Sequence, residues 1–196
     1  MRRSKADVIK TKEQIVDSAS DMFLTKGYTS TSVDEIAENA DVTKGAVYWH
    51  FGSKKDLFEF VLSRVLDQYG ILNFAHELPE KMTYEQRMYE VFWNAQRDDS
   101  KVHYIYRAMN LVEYESELHE FRSLITEHKR KILDFFKDET RIHMRVCGID
   151  GDSVPYARQL FLLYEGLFLV KNTDIADIDD RDEIESCVRM AIKDII

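Results

Sequence analysis

The run Thr43-Lys44-Gly45-Ala46-Val47-Tyr48-Trp49-His50-Phe51-Gly52-Ser53-Lys54-Lys55 gathers hydrogen-bond donors of several kinds in a short span. Tyr48, His50, Lys54 and Lys55 carry groups suited to phosphate oxygens, contacts that position a protein on a polyanion without reading its sequence. Thr43 stands where a helix N-cap is needed, with Lys44 and Gly45 in the first turn after it. A helix N-terminus presents free N–H groups and the positive end of a dipole. Gly45 costs such a helix about 1 kcal/mol relative to Ala, which makes sense where the backbone approaches another surface closely. The chemistry on offer is recognition of an anion rather than bond-making.

Other chemistries find no support in the spacing. There is no G-x-S-x-G, G-x-G-x-x-G, P-loop, H-E-x-x-H or C-x-x-C. The residues three before the six histidines are Val47, Asn73, Ser100, Ser116, Ile125 and Thr140, none of them the Glu that a di-metal carboxylate bundle requires. The acidic stretch at 174–183 lacks the Gly and terminal Glu of an EF-hand and reads as a solvated linker. No metal, cofactor or enzymatic activity is expected. Cys147 and Cys187 have no second ligand nearby and fit reduced core thiols better than a disulfide framework.

Charge is unevenly distributed. Residues 1–64 carry ten Lys/Arg and ten Asp/Glu, so the whole net charge of −9 falls on residues 65–196. The first twelve residues, with Arg2, Arg3 and Lys5 among them, are strongly basic. This asymmetry fits either a polyanion met through the N-terminus alone or a solubilising surface with a frayed end. The apolar run 160–170 contains Glu165 and is far short of the roughly 20 residues that span a bilayer. No apolar segment follows the basic start as a secretory signal would, so a cytoplasmic location and no membrane contact are expected.

The elements that must position these residues are helical almost throughout. Two Pro and seven Gly in 196 residues argue for long helices and against a turn-rich β fold. A first helix is expected from about Thr11 to Lys26, with Ile15, Ala19, Met22 and Phe23 on one face and Gly27 as its stop. Ser32 and Glu35 form a capping box that opens a second, short helix. Asn39-Ala40-Asp41-Val42 turns the chain into the helix capped by Thr43, and Ser53 opens a fourth helix. Two short helices joined by a tight turn form a helix-turn-helix. In the remainder, the longest helix is expected to carry a stripe at 118, 121, 125, 128, 132, 135, 139, 142 and 146, alternating three and four. Residues 153–171 are apolar on all sides, which calls for a core on one side and a partner, or more core, on the other.

The run from Thr31-Ser32-Val33-Asp34-Glu35-Ile36-Ala37 through Ala40-Asp41-Val42-Thr43-Lys44-Gly45-Ala46-Val47-Tyr48-Trp49-His50-Phe51 to Ser53-Lys54-Lys55-Asp56-Leu57 resembles the DNA-binding domain of the TetR family. Tyr48-Trp49-His50-Phe51 with Asp56-Leu57-Phe58 is similar to the branch that represses multidrug-efflux operons. One departure is Asp41, where the family usually has Gly; Asp tolerates the left-handed backbone better than most residues. The resemblance implies an all-α chain with a three-helix helix-turn-helix domain at 1–57 and a helical-bundle domain for effector binding and dimerisation at 58–196. It implies that Thr43, Lys44, Gly45 and Trp49 meet base edges or nearby sugar-phosphate in the major groove, while Tyr48, His50, Lys54 and Lys55 grip phosphates. It further implies a homodimer on a palindromic duplex operator, acting as a repressor that a small lipophilic effector releases.

Aromatic and Met side chains of the acidic part, Phe92, Tyr106 and Met109 among them, sit at helical spacing, which usually means core, while the resemblance implies that some of them line a cavity. Glu113, His128 and Glu165 interrupt apolar stripes. Each pairs with a basic or hydrogen-bonding neighbour, or lines a cavity for an amphipathic, cationic molecule. The competing reading keeps the DNA-binding dimer and gives it no effector, its body serving dimerisation or protein contacts.

Overall fold

The computed structural model describes residues 5–69, 71–96, 102–171 and 180–196. Arg2, Arg3 and most of the acidic linker lie outside them. The described residues form ten α-helices and no strand: α1 (Lys5–Lys26), α2 (Val33–Asn39), α3 (Lys44–Phe51), α4 (Lys54–Tyr69), α5 (Ile71–Glu77), α6 (Tyr84–Gln96), α7 (Val102–Tyr114), α8 (Arg122–Cys147), α9 (Val154–Lys171) and α10 (Arg181–Ile192). A 310 turn, Ser116–Phe121, leads into α8. None of the described helices is long and apolar enough to cross a membrane.

Two compact units divide the chain. One takes in Met1–Leu66 and Arg107–Arg122, the other Asp67–Tyr106 and Ser123–Ile196. The first unit therefore reaches past the residue-57 boundary expected from sequence and recruits a distant segment. Its core is built from the stripe of α1 (Ile15, Val16, Ala19, Phe23), the inner faces of α2 and α3 (Val33, Ile36, Val47, Phe51) and that of α4 (Leu57, Phe58, Val61, Leu62). Helix α1 begins earlier than expected, at Lys5, because nothing in residues 5–10 breaks a helix, although Ile9 gains no cover there. It stops at Gly27, whose φ of +91° only glycine adopts easily. The capping box forms: the Glu35 amide donates to Ser32 Oγ at 3.2 Å, and the Ser32 amide donates to Glu35 Oε2 at 2.8 Å. Asn39 Nδ2 donates to Ser18 Oγ, which donates to the Ile36 carbonyl, each at 3.0 Å; the relay satisfies a buried serine and ties α2 to α1.

The recruited segment is held by polar and aromatic contacts. The Tyr28 and Thr29 amides donate to the Glu115 carboxylate at 2.9 and 2.7 Å, and the Thr29 hydroxyl donates to it as well. A Cβ on Gly27 would meet Glu115 Oε1 at 3.2 Å, so this glycine also makes room for the carboxylate. Arg107 donates to the Leu24 carbonyl at 3.2 Å, occupying an acceptor that the end of α1 leaves open. Phe121 packs on Phe58, which in turn contacts Phe23 and Tyr28.

In the second unit the core joins Met88 and Phe92 of α6, Ile132 and Phe136 of α8, Leu160 and Tyr164 of α9, and Ile184, Val188 and Ile192 of α10. Of the stripe expected along one long helix, Leu118 and Phe121 are buried on the 310 turn that precedes α8, Ile125 is half-buried, His128 and Ile132 are buried on α8, and the pattern then departs. Phe136, Thr140 and Met144 are buried in place of 135, 139 and 142, leaving Ile142 56% and Val146 79% exposed. Buried positions four apart follow the i+4 ridge of a straight helix, which winds across its surface, whereas a three-four alternation suits a supercoil. The neighbours dictate the winding: Thr140 Oγ1 meets Tyr84 OH at 2.9 Å, and the His143 ring stacks on Tyr84. Helix α9 buries Ala157, Leu160, Tyr164, Leu167 and Phe168, while Leu162 and Leu169 on its other apolar side have no cover among the described residues.

Glu115→Ala strips two backbone amides of their acceptor. It is expected to cost about 2 kcal/mol of unfolding free energy, seen as a lower urea midpoint at unchanged slope. An unmoved midpoint would mean that the grip contributes nothing.

Candidate nucleic-acid interface

Helix α3 has eight residues, too few to persist in isolation. Three features fix it. Asp41 adopts φ +53°, the only positive φ outside glycine among the described residues, and swings the chain from α2 into α3. Thr43 Oγ1 accepts from the Ala46 amide at 3.2 Å, capping the first turn. Val47 and Phe51 are buried, with Phe51 against Phe60 of α4. Gly52, at φ +67°, ends the helix.

With one face buried, the opposite face is presented to solvent. Thr43, Lys44, Gly45, Tyr48 and Trp49 are all exposed, Trp49 at 71%. His50 is half-buried, its ring against both Trp49 and Phe51. Gly45 has an unstrained backbone, and a Cβ there would meet only Thr43 Oγ1 at 3.9 Å, an ordinary contact. Nothing among the described residues requires glycine at this position.

The lysines are already engaged. Lys44 Nζ lies 2.7 Å from Asp34 Oδ2, and that hydrogen bond holds the ammonium above its ordinary pKa. Lys54 Nζ lies over the Tyr28 ring, 4.1 Å from its centroid. Burial there pushes its pKa down, partly offset by Glu117, Glu115 and Glu35. Lys55 Nζ pairs with Glu120 Oε1 at 3.1 Å. The structure thus brings Thr43, Lys44, Gly45, Tyr48 and Trp49 onto one face, while Lys54 turns onto an aromatic ring and Lys55 onto a carboxylate. Sequence reasoning missed Asp34, Glu115 and Glu120 as partners. Glu115 and Glu120 lie some sixty or more positions away from their partners, where no local spacing rule could find them. It also missed Lys12, whose Nζ sits 3.9 Å from the Phe60 centroid and bridges α1 to α4.

The residues expected around an effector are divided between the units. Met109 and Glu113 belong to the first, where Glu113 is exposed and pairs with Arg122 at 3.1 Å. Phe92, Tyr106, His128 and Glu165 belong to the second. There Phe92, Phe136, Tyr164, Phe168 and Tyr106 form a continuous row of ring contacts. Glu165 pairs with Lys129 of α8. His128 is buried, its Nε2 has no hydrogen-bond partner among the described residues, and burial brings its pKa down to about 4.

A capped turn, a rigid short helix with a buried inner face, and an outer face of small, aromatic and cationic residues define a helix-turn-helix DNA-binding domain. The family model described as "Bacterial regulatory proteins, tetR family" matches residues 15–61. This domain belongs to that family. Over 76 residues the chain is 47% identical to the HTH-type transcriptional regulator AcrR of Shigella flexneri, covering 39% of this chain and 35% of that protein. Over 57 residues it is 40% identical to the probable acrEF/envCD operon repressor of Escherichia coli, covering 29% and 26%. The matches thus span about a third or less of these relatives' own length. Across the whole chain the fold is that of NalD, the secondary repressor of the MexAB-OprM multidrug efflux pump in Pseudomonas aeruginosa: TM-score 0.70 at 24% identity, covering 98% of each chain. A transcriptional regulator from Aquifex aeolicus shares it at TM-score 0.62 and 25% identity, covering 95% of this chain and 99% of that one.

The depressed pKa of His128 has a sign that can be tested. The unfolded chain binds a proton at this residue near pH 6.5 and the folded chain only near 4, so folded stability is full above pH 6.5 and falls as pH drops toward 4. Lys131 and Lys129 push in the same direction as burial, and Asp67 opposes them. Between pH 7 and pH 5 this one group should cost about 2 kcal/mol. His128→Gln should remove that share of the acid sensitivity in urea titrations; an unchanged pH profile would contradict the assignment.

Proposed function

We propose that the chain is a sequence-specific DNA-binding repressor that acts as a homodimer. The observation that carries this reading is the outward face of α3, where Thr43, Lys44, Gly45, Tyr48 and Trp49 stand on a capped helix locked from behind by Val47 and Phe51. In this reading Thr43, Lys44, Gly45 and Trp49 meet base edges and adjoining sugar-phosphate, and Tyr48, His50, Lys54 and Lys55 hold phosphates. Lys44 and Lys55 leave their carboxylate partners to do so. The uncovered Leu162 and Leu169 of α9 favour a second copy at that face, which would set two α3 helices on a palindromic operator with half-sites ~34–36 Å apart or a multiple of that.

The proposed control is release by a small lipophilic effector, in line with the role of NalD as an efflux-pump repressor. Phe92, Tyr106, His128 and Glu165 are its proposed contacts in the second unit. The aromatic row suits an apolar ligand body, and the unpartnered His128 Nε2 offers one polar group. Met109 and Glu113 are the weaker members of the set, Glu113 being already paired on the surface. Effector and DNA would favour different conformations and weaken each other's binding by the same factor. A cytoplasmic site of action follows from the DNA target.

Gly45→Ala tests the DNA-facing role with two opposite signs. The free protein should gain up to about 1 kcal/mol of stability, because alanine favours the helix and meets no clash. Affinity for a duplex selected from a random-sequence pool should fall at least about tenfold, because the added methyl stands between backbone and DNA. A variant that is more stable and binds equally well would remove this face of α3 from the interface.

A further inference from the structure

The contact between Lys55 and Glu120 joins a proposed phosphate ligand to a residue from outside the helix-turn-helix. We propose that Glu120 is a built-in stand-in for a backbone phosphate. Its carboxylate holds Lys55 in the DNA-free protein, and duplex binding exchanges it for a phosphate oxygen. This rests on the reading of Lys55 as a phosphate ligand.

Three observations carry it. Lys55 Nζ lies 3.1 Å from Glu120 Oε1, within reach of a charge-assisted hydrogen bond, the same bond that an ammonium makes to a phosphate oxygen. The side chains are 41% and 56% exposed, so a duplex can reach the lysine without any rearrangement of the core. Glu120 is also held in register by its own segment: Glu115 grips the Tyr28 and Thr29 amides five residues before it, and Phe121 packs on Phe58 directly after it. Glu115 and Glu117 add to the negative field, which raises the pKa of Tyr28 beside them after the larger effect of burial. The acidic turn is thus fixed against the N-terminal end of α4, where Lys54 and Lys55 stand.

The consequence is regulatory. The chain enters the first unit at Arg107 and leaves it at Arg122, so Glu120 lies two residues from the point where the chain passes into the second unit. How closely the acidic turn holds Lys55 sets how readily that lysine meets DNA. Affinity can therefore change with no alteration of α3 itself. The Lys44–Asp34 pair lies wholly within the helix-turn-helix and has no such dependence.

A double-mutant cycle on the full-length protein tests the exchange. The probe is a fluorescein-labelled random-sequence duplex of about 30 base pairs, read by anisotropy at low salt, where phosphate contacts dominate. Lys55→Ala should weaken binding. Glu120→Gln, which keeps the shape and removes the charge, should tighten it about threefold, the range of an exposed ion pair. In the Lys55→Ala background Glu120→Gln should change nothing. Equal tightening in both backgrounds would overturn the exchange, because Glu120 would then act only as a charge repelled by DNA. No tightening in either would overturn it as well. Lys55→Ala binding as tightly as the parent would instead refute the phosphate reading, and the exchange with it. Unchanged thermal melting of Glu120→Gln shows that the shift does not come from misfolding.

Discussion

The burial of Val47 and Phe51 is the constraint on which the candidate interface depends. An eight-residue helix has too few internal hydrogen bonds to offset its nucleation cost, so α3 exists because these two side chains are inserted into the core of the first unit. Once they are inserted, the 100° step between residues leaves Thr43, Lys44, Gly45, Tyr48 and Trp49 no orientation but outward. The proposed binding then requires no ordering of this face, which spares the entropy that a flexible loop would lose.

Outward residues are not idle residues. The first unit carries 12 Lys/Arg against 14 Asp/Glu despite the polyanion it is proposed to meet, and each of its three candidate lysines on α3 and α4 has an intramolecular contact. Lys44 and Lys55 hold carboxylates, and Lys54 lies on an aromatic ring. Exposed pairs of this kind contribute little to stability. If these lysines take phosphates as proposed, each contact must open first, and charge contacts then add less affinity than a count of lysines implies. Under that proposal, discrimination between sequences rests more heavily on the uncharged part of the face.

Local chemistry was legible in the sequence because its causes are local. The Ser32–Glu35 box, the Thr43 cap, the left-handed Asp41 and the stop at Gly27 each depend on residues within four positions, and all four form. Apolar spacing points to Ala46, Val47 and Phe51 as core; Val47 and Phe51 are buried and Ala46 is half-buried. Trp49 was less legible, since an indole suits either side of a small helix and only the occupied core settles which. The hold of Glu115 on residues 28 and 29 was invisible, because it joins positions that only the fold brings together. The stripe on α8 failed for a related reason: beyond Ile132 the partners Tyr84 and the chain end near Ile195 select which face is covered, and they left Ile142 and Val146 outside.

The most direct measurement is an amide chemical-shift titration of the isotope-labelled full-length protein with a duplex selected from a random-sequence pool. The account predicts that the largest shifts fall on Thr43 to His50 and on Lys54 and Lys55, with the amides of the buried α1 stripe little changed. Shifts centred on any other helix, with Thr43 to His50 unperturbed at saturation, would contradict it.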